Sequence, residues 1–511
     1  MAERRCDILV AGGGLGGVAA ALAATARGRN VVLSEPTDWL GGQLTSQAVP
    51  PDEHRWIERC GCTRSYRRLR DGIRAHYRAH MPLTERARLL PELNPGACTV
   101  SRLAHEPRIA LAVLHAMLAP ALADGRLTLL LRHRPVAAGV TGDRVDAVTL
   151  AGPGGEVVVA ADHFLDATET GALLPACGAE HVTGSESRDV TGEPHAGPVA
   201  RPDNLQPVSV CFALDHLVGE DHTITPPPGD PPAFSWTAPD PRTNRPVPRR
   251  LVPNPDEDPY AIGPDFDDPE LDKDLWRFRR IAARGLFEAG AYPSDITLVN
   301  WPQIDYTEAP VLDGSDAGAR ALSLHFLRWM QREHPGLRLR GDVVGDTPDG
   351  LAKAPYVREA RRITALRSVV EQDIALDVRG AHGAAEVPDA VGIGHYRIDL
   401  HPSTGGDPYL DIPCCPFQLP LSALIPQRLE NLIAAGKCLG TTHITNGAFR
   451  LHPVEWNAGE AAGHLAAFCA EAGAPPRAVA ERPALLARFQ AQLDGAGIER
   501  AWPDAIRRGN T

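Results

Sequence analysis

The chain opens with apolar and glycine-rich segments whose order predicts one supersecondary unit. Residues 6–11 form an apolar run, glycine fills five of the six positions in 12–17, and an alanine-rich segment follows over residues 18–26. A short apolar run that leads into glycines indicates a buried strand, and the alanine-rich run indicates a helix. A second, largely apolar run at residues 30–34 predicts another strand, so the pattern is typical of a parallel βαβ unit.

The spacing of the glycines and of one acidic residue makes this unit a candidate nucleotide-binding site. Gly12 permits a tight turn, Gly14 leaves room for a pyrophosphate against the backbone, and Gly17 lets the helix pack closely on the strand. Leu15 lies among these glycines as a further candidate for cofactor binding, and the amino terminus of the helix that follows offers free N–H groups to phosphates. Glu35 lies 18 residues after Gly17, where a carboxylate can accept hydrogen bonds from ribose hydroxyls.

Shorter apolar runs after residue 126 predict a β-meander attached to the same unit. They cover residues 127–131, 145–150, 156–160 and 163–167, and the glycine-rich residues 152–155 predict a turn between two of them. The last strand ends in three residues that could present backbone groups to the same nucleotide: Asp166, Ala167 and Thr168.

The middle of the chain has a different pattern. Fourteen of the 47 prolines lie in residues 201–260, a density that disfavours helices and central strands. We therefore predict an extended surface loop that acts as a mobile cover over a substrate entrance. Helical patterns over residues 268–289 and 316–333, with strands over residues 296–300 and 391–401, predict an inserted α+β domain.

The pattern of the first residues returns near the carboxyl terminus. Residues 431–435 predict a strand that Gly436 ends, and Pro453 is well placed to begin a helix that runs to residue 469. We predict an α/β fold in which a three-layer, Rossmann-like domain with a β-meander is interrupted by a substrate domain. The predicted boundaries are residues 1–200 and 406–475 for the two parts of the nucleotide-binding domain, 201–405 for the inserted domain, and 476–511 for a helical tail.

Four polar residues precede the predicted helix at Pro453 and are candidates for chemistry: His443, Asn446, Arg450 and His452. We predict that they lie in a loop. His443 could accept a proton, since histidine titrates near neutrality, or it could simply hold the turn. Arg450 could bind a substrate carboxylate or form an ion pair within the loop.

Polar and apolar residues alternate strictly over residues 394–401. A strand with this alternation has four polar residues on one face: His395, Arg397, Asp399 and His401. Such a face could be solvated or could line a substrate cavity, and its spacing closes no metal site. Arg358 lies in another basic segment and could bind an anionic substrate or pair with structural acids.

Charge and composition exclude several classes of function. The chain has 52 basic and 64 acidic residues, a net charge of −12, so we predict no nucleic-acid partner. Its apolar runs are far shorter than the roughly 20 residues of a membrane span, and no apolar leader precedes the first strand. We therefore predict a cytoplasmic protein with no membrane partner. The ten cysteines lack the paired spacing of a zinc site, and the sequence does not indicate an oligomeric state.

The motifs together resemble the bacterial family of FAD-dependent oxidoreductases, which is distantly similar to the glutathione-reductase and succinate-dehydrogenase flavoproteins. The resemblance covers roughly residues 5–470 and rests on several separated motifs. They are residues 12–17 with Glu35, residues 39–43, residues 166–168, residues 355–362, residues 389–394, and residues 431–436 with 443–463.

The resemblance implies non-covalent FAD as the cofactor. Gly41, Gly42 and Gln43 would pass beside the ribityl chain or isoalloxazine, and Val136 would contact the adenine through its backbone. Gly436 and the helix that begins with Pro453 and Val454 would reach the flavin. Trp39 and Leu40 precede the diglycine in place of the histidine that carries a covalent flavin in some relatives.

We expect an enzyme that transfers a hydride from a small organic substrate, with an anionic one among the candidates, to flavin N5. Oxygen or another acceptor would then take the electrons. A flavin monooxygenase or an NAD(P)H-driven reductase is the alternative, and a non-catalytic flavin-binding protein is a weaker one. The candidate catalytic residues are His443 as proton acceptor, Arg450 for substrate orientation, Arg358 and His401.

Overall fold

The computed structural model describes residues 2–262 and 273–507. Its strands, in chain order, are β1 (Ala2–Ala11), β2 (Val31–Glu35), β3 (Leu127–Leu131), β4 (Arg134–Thr141), β5 (Arg144–Gly152), β6 (Gly155–Asp166), β7 (His181–Val182), β8 (Val208–Ser209), β9 (Phe212–His216), β10 (Thr237–Pro239), β11 (Pro246–Pro248), β12 (Arg280–Ala282), β13 (Ile296–Val299), β14 (Leu337–Leu339), β15 (Tyr356–Val357), β16 (Arg362–Ile363), β17 (Ala390–Gly394), β18 (Ile398–Leu400), β19 (Leu410–Ile412), β20 (Phe417–Pro420) and β21 (Leu432–Ala434).

Helices occur along the whole chain after β1. In chain order they are α1 (Leu15–Ala26), α2 (Arg64–His80), α3 (Glu85–Arg88), α4 (Pro107–Ala123), α5 (Leu173–Ala176), α6 (Arg188–Thr191), α7 (Leu275–Phe278), α8 (Asp316–Met330), α9 (Gly341–Val344), α10 (Glu371–Ile374), α11 (Leu376–Arg379), α12 (His443–Phe449), α13 (His452–Ala472), α14 (Pro476–Glu481), α15 (Pro483–Ala496) and α16 (Asp504–Arg507). Within residues 2–262 and 273–507, these helices are too short or too polar to cross a bilayer.

The main sheet has the strand order β3-β2-β1-β6-β5-β4, and β21 pairs with the carboxyl end of β6. Strands β3, β2, β1, β6 and β21 are parallel, whereas β4 and β5 form an antiparallel meander. The carboxyl ends of β1, β2, β6 and β21 therefore meet at one edge of the sheet, which is where α/β folds bind ligands. This confirms the predicted α/β fold class with a Rossmann-type sheet.

Helices α1 and α13 pack backbone against backbone. A Cβ added to Gly459 would lie 1.9 Å from the Gly16 carbonyl oxygen, and one added to Gly463 would lie 2.3 Å from that of Ala20. Larger side chains at these two positions would force the helices apart. The close contact brings the amino terminus of α13 to the amino terminus of α1.

The middle of the chain forms a second core around an antiparallel sheet of order β12-β13-β9-β14. Helix α8 packs there, and the buried side chains include Phe212, Trp301 and Phe326. The predicted strand over residues 296–300 and the predicted helix over residues 316–333 are present as β13 and α8. The predicted domain boundaries remain a prediction.

Two predictions about secondary structure in the middle of the chain are wrong. Residues 273–289 do not form a long helix, because they are drawn into sheet pairing: α7 is one turn, β12 pairs with β13, and a 3-10 turn follows at Arg284–Leu286. Residues 263–272 of that predicted helix lie outside the described residues. The predicted strand over residues 391–401 is two strands, since β17 pairs with β20 and β18 pairs with β19.

Part of the predicted proline-rich loop is core rather than surface. Residues 204–215 are buried because β9 is a central strand of the second sheet. Residues 217–237 are mainly exposed, as the prediction requires. Residues 155–166 form one strand rather than two. Residues 443–449 of the predicted loop before Pro453 form α12, and His452 already belongs to α13.

Candidate functional site

The glycine turn after β1 is held in a conformation that only glycine tolerates. Gly12 has a φ of +97°, and a Cβ there would lie 2.3 Å from the Ala167 carbonyl oxygen. A Cβ on Gly17 would lie 1.8 Å from the Gly12 carbonyl oxygen. The turn is therefore fixed between the start of α1 and the residues that follow β6, as the glycine spacing predicts.

A second glycine segment lies against the first. Gly42 has a φ of +50°, and its Cβ would lie 2.9 Å from Gly14 Cα. The start of α1 and the Gly41–Gly42 turn thus form a backbone surface with no side chain of their own. Such a surface fits the extended diphosphate of a dinucleotide, whose oxygens accept hydrogen bonds from a helix amino terminus.

Glu35 lies at the end of β2 and fastens the same turn. Its Oε2 accepts a hydrogen bond of 3.0 Å from the Gly13 N–H, and its Oε1 accepts bonds of 2.9 and 2.7 Å from the Thr37 N–H and hydroxyl. Burial raises the pKa of the Glu35 carboxyl to about 7. The carboxyl group is positioned at the strand end at which a ribose binds in this type of unit.

Asp166 is buried and shapes the turn after β6. Its Oδ1 accepts hydrogen bonds of 3.0 and 2.7 Å from the Thr168 N–H and hydroxyl, and its Oδ2 accepts one of 3.0 Å from the Leu173 N–H. Burial raises the pKa of its carboxyl to about 6. Asp166 therefore holds Ala167 and Thr168 against Gly12, where their backbone can take part in the site.

Glu455 is a residue of the cofactor region that the sequence did not reveal. It lies in the first turn of α13, two residues after Pro453. Its Oε1 accepts a hydrogen bond of 3.4 Å from the Gly16 N–H, and its Oε2 accepts one from Gln43 Nε2. Gln43 Nε2 also donates to the Arg450 carbonyl oxygen at 3.1 Å. The acid in the first turn after Pro453 is the signal that could have revealed it.

The remaining predicted cofactor residues lie around this cluster. A Cβ on Gly436 would lie 3.6 Å from Ala167 Cα, so the end of β21 approaches the end of β6. Val454 follows Pro453 in the buried first turn of α13. Val136 lies on β4, where the pairing with β5 shifts register, and its side chain is 39% exposed. The contact of Val136 with adenine stays a prediction.

Three of the four predicted catalytic residues share one buried network of charges. Arg450 donates to the Asp399 carboxylate at 2.9 Å and to the Tyr356 hydroxyl at 2.7 Å. Asp399 Oδ2 lies 3.7 Å from His401 Nε2, and His401 Nδ1 lies 2.5 Å from Asp305 Oδ2. The network continues from Asp305.

Arg358 completes this network, which we call the arginine network: Arg358, Arg450, Asp305, Asp399, His401 and Tyr356. Arg358 donates to Asp305 at 3.0 Å and to the Pro207 carbonyl oxygen at 2.9 Å. Burial alone would raise the pKa of the Asp399 carboxyl, but His401 in its protonated form and Arg450 hold it well below its usual range. Asp399 is therefore ionised at neutral pH and pairs with Arg450.

His443 belongs to a different set of contacts. Its Nδ1 lies 2.8 Å from Glu359 Oε2, and its backbone N–H donates to Glu186 at 2.9 Å. Arg362 pairs with both of these glutamates. His443 and Arg450, which were predicted to lie in one loop, thus belong to two sets of ion pairs at opposite ends of α12.

Two other histidines from the sequence analysis are held away from proton transfer. His452 Nδ1 accepts from the Asp52 N–H at 3.1 Å, its Nε2 lies 3.2 Å from the Val49 carbonyl oxygen, and burial lowers its pKa to about 3. His395 packs against Trp56 and lies between β17 and β18, outside both strands, so the continuous strand face predicted for it and His401 does not form. Burial lowers the pKa of His395 to about 3 as well.

A surface cleft of about 650 Å³ includes Asp305 among its lining residues. One wall is formed by residues 228–235 and 237–239 of the proline-rich segment, and another by α8 residues such as Ala321 and His325. Asp305 therefore belongs both to the arginine network and to a cavity that opens to solvent.

The comparisons with solved structures return low sequence identities. The chain is similar to a myxobacterial chondrochloren halogenase, a variant of FAD-dependent halogenases, with 12% identity over 96% of this chain and 79% of that one and a TM-score of 0.34. A geranylgeranyl bacteriochlorophyll reductase-like protein from Thermoplasma acidophilum gives 11% identity, 98% and 85% coverage and a TM-score of 0.33. The match to L-proline dehydrogenase from P. horikoshii has 12% identity and a TM-score of 0.20. It covers 36% of this chain and 24% of that one, so this chain spans only about a quarter of that protein's length.

The comparison with protein families is decisive. No curated protein matches the chain. The model of the family described as FAD dependent oxidoreductase matches residues 7–493, nearly the whole chain, which includes the glycine turns, the arginine network and α13. The chain therefore belongs to the FAD-dependent oxidoreductase family, and FAD is its cofactor.

Proposed function

We propose that this protein oxidises a small organic substrate by hydride removal and binds an oxygen-bearing group of that substrate with Arg358 and Arg450. FAD, when bound, supplies the two-electron acceptor. The proposal rests on the Nε atoms of both arginines, which are buried and have no hydrogen-bond partner in the part of the chain that the structure describes. An unmet buried N–H costs about 1–3 kcal/mol, which a carboxylate or carbonyl oxygen would recover.

Arg450 is the residue through which substrate and cofactor would be aligned. Its carbonyl oxygen accepts from Gln43, which follows the Gly41–Gly42 turn, while its guanidinium belongs to the arginine network. A short rigid link of this kind supports a fixed distance between the two ligands, which is the main requirement for hydride transfer.

His401 is the residue we propose as proton acceptor. Its Nδ1 is bound to Asp305, which fixes the ring, and its Nε2 faces Asp399 at 3.7 Å. A histidine oriented by a buried carboxylate is a common general base. His443 is also bound to a carboxylate, so it is the second candidate. Its partners are Glu359 and Glu186, and neither of these contacts connects it to Arg450.

The cleft that includes Asp305 is the proposed substrate entrance, and the proline-rich wall is its cover. Phe234 and the prolines of residues 228–239 give that wall apolar surface, and many of these residues are exposed. Limited proteolysis tests the cover: we expect cleavage within residues 217–239 before any cleavage in the main sheet. Equal resistance of both regions would make the segment a fixed wall.

The proposed electron acceptor is oxygen or another small molecule. The sequence contains one dinucleotide fingerprint, at residues 12–17, and FAD uses it. A monooxygenase or an NAD(P)H-driven reductase needs a nicotinamide that would bind only transiently. Anaerobic mixing with NADPH distinguishes these classes, because a reductase bleaches its flavin with NADPH alone.

The decisive experiment measures anaerobic flavin reduction by stopped flow with matched pairs of small alcohols and amines, with and without a carboxylate. We expect the carboxylates to reduce the flavin, and Arg450→Gln to weaken their apparent binding at least tenfold. Arg477→Gln is the matched control, because Arg477 is exposed and pairs with Glu481 at 3.3 Å. Equal apparent binding in both variants would exclude Arg450 as the substrate anchor.

A further inference from the structure

Two carboxylates face the backbone surface that binds the diphosphate. A Cβ on Gly14 would lie 2.8 Å from Glu169 Oε1 and 3.3 Å from Glu455 Oε1, so both acids approach the same point at the start of α1. Glu169 Oε1 would also lie 2.5 Å from a Cβ on Gly42. Glu169 therefore extends into the gap between the two glycine segments.

Glu169 is poorly satisfied where it lies. Both of its carboxylate oxygens are buried and, over the residues described, accept no well-formed hydrogen bond. Its Oε2 forms an ion pair with Lys437, so among the described residues Oε1 is the oxygen without a partner. A carboxylate beside a helix amino terminus and a lysine ammonium has the charge and size of one phosphate oxyanion group.

Lys437 is an unusual residue in this chain. It is one of only three lysines, it directly follows Gly436, and it is 4% exposed. Its Nζ also donates to the Val357 carbonyl oxygen at 2.6 Å and lies 5.9 Å from the Tyr356 ring. A buried lysine needs an anion beside it, and Glu169 is the anion that the free protein provides.

We propose that Lys437 binds the diphosphate of FAD and that Glu169 takes the place of that diphosphate in the cofactor-free protein. Binding of FAD then exchanges one ion pair for another: the Lys437 ammonium leaves the Glu169 carboxylate for the phosphate oxygens, and Glu169 moves out of the gap. Glu169 is an internal competitor of the cofactor. This inference concerns cofactor binding and does not depend on the substrate proposed above.

Opposite effects of two neutral variants test the exchange. In the full-length protein, Lys437→Gln should weaken the affinity for FAD at least tenfold, because a phosphate partner is lost. Glu169→Gln should strengthen it at least fivefold, because the competing anion is lost. Affinity is measured by titration of the cofactor-stripped protein, and the release of FAD from the holoprotein is followed by flavin fluorescence.

Two further ligands locate the effect on the diphosphate. ADP should show both changes, whereas riboflavin, which has no phosphate, should bind all variants within twofold. Lys353→Gln is the control, because Lys353 also forms an ion pair with an acid, Asp38 at 2.9 Å, although its side chain is 15% exposed and that of Lys437 only 3%. Weakened binding by both Lys437→Gln and Glu169→Gln, or an equal change for riboflavin, would overturn the proposal. If Lys437→Gln does not fold, tighter ADP binding by Glu169→Gln supports it, and unchanged binding overturns it.

Discussion

The cofactor region and the proposed substrate region of this protein differ in whether backbone or side chains line them. Around Gly12, Gly14 and Gly42 the surface is backbone, and an added Cβ would meet another atom within 3 Å. The arginine network consists of long charged side chains that pair with buried carboxylates. A backbone surface binds a ligand common to a whole family, whereas a side-chain network can be changed one residue at a time. We therefore expect the first region to define the cofactor and, under the function proposed above, the second to define the substrate.

Gly14→Val tests the backbone half of this comparison and should have the largest effect. A branched side chain would fill the closest approach of the diphosphate, so we expect the purified protein to contain no flavin and to bind none on titration. Gly139→Val is the control, since a Cβ at Gly139 meets nothing within 4 Å. Normal flavin absorbance in Gly14→Val would mean that the diphosphate binds elsewhere.

Arg450→Lys tests the side-chain half. The positive charge remains, but the fork that reaches both Asp399 and Tyr356 is lost, so we expect substrate binding to weaken by at least tenfold while FAD stays bound. Asp399→Asn should have a comparable effect because it leaves the Arg450 charge without its carboxylate. If either variant loses FAD as completely as Gly14→Val, the two regions are not independent.

His401 and His443, each bound to a carboxylate, can be compared as candidate proton acceptors. We expect His401→Gln to slow flavin reduction roughly a hundredfold and His443→Gln to slow it less than threefold, with the flavin spectrum unchanged in both. The measurement is the limiting rate of anaerobic reduction at saturating substrate. The reverse order would make His443, the first candidate from the sequence, the proton acceptor.

The same contrast explains what the sequence could predict. The glycine turn, Glu35 and the start of the helix at Pro453 were predictable because their chemistry depends on local spacing. Glu169, Lys437 and Glu455 were missed, since Glu169 lies more than 260 residues before the other two and the three meet only when β6, β21 and α13 reach the same edge. The helix predicted over residues 268–289 failed for a related reason, because pairing of β12 with β13 overrides local propensity.

The last predicted effect is a pH dependence of stability that arises in the cofactor region. Burial raises the pKa of Glu35 to about 7, above the value near 4.5 of the unfolded chain, so the folded protein binds this proton more tightly. The stabilisation of the folded protein by this proton is fully present below pH 4.5 and is lost as the pH rises to about 7. Urea unfolding of the cofactor-free protein measures this loss. Between pH 4.5 and pH 8, the free energy of unfolding of Glu35→Gln should rise relative to that of the wild type by up to about 3 kcal/mol. Comparison of the two proteins cancels the other titrating groups, and a difference that does not change with pH would show that Glu35 titrates normally.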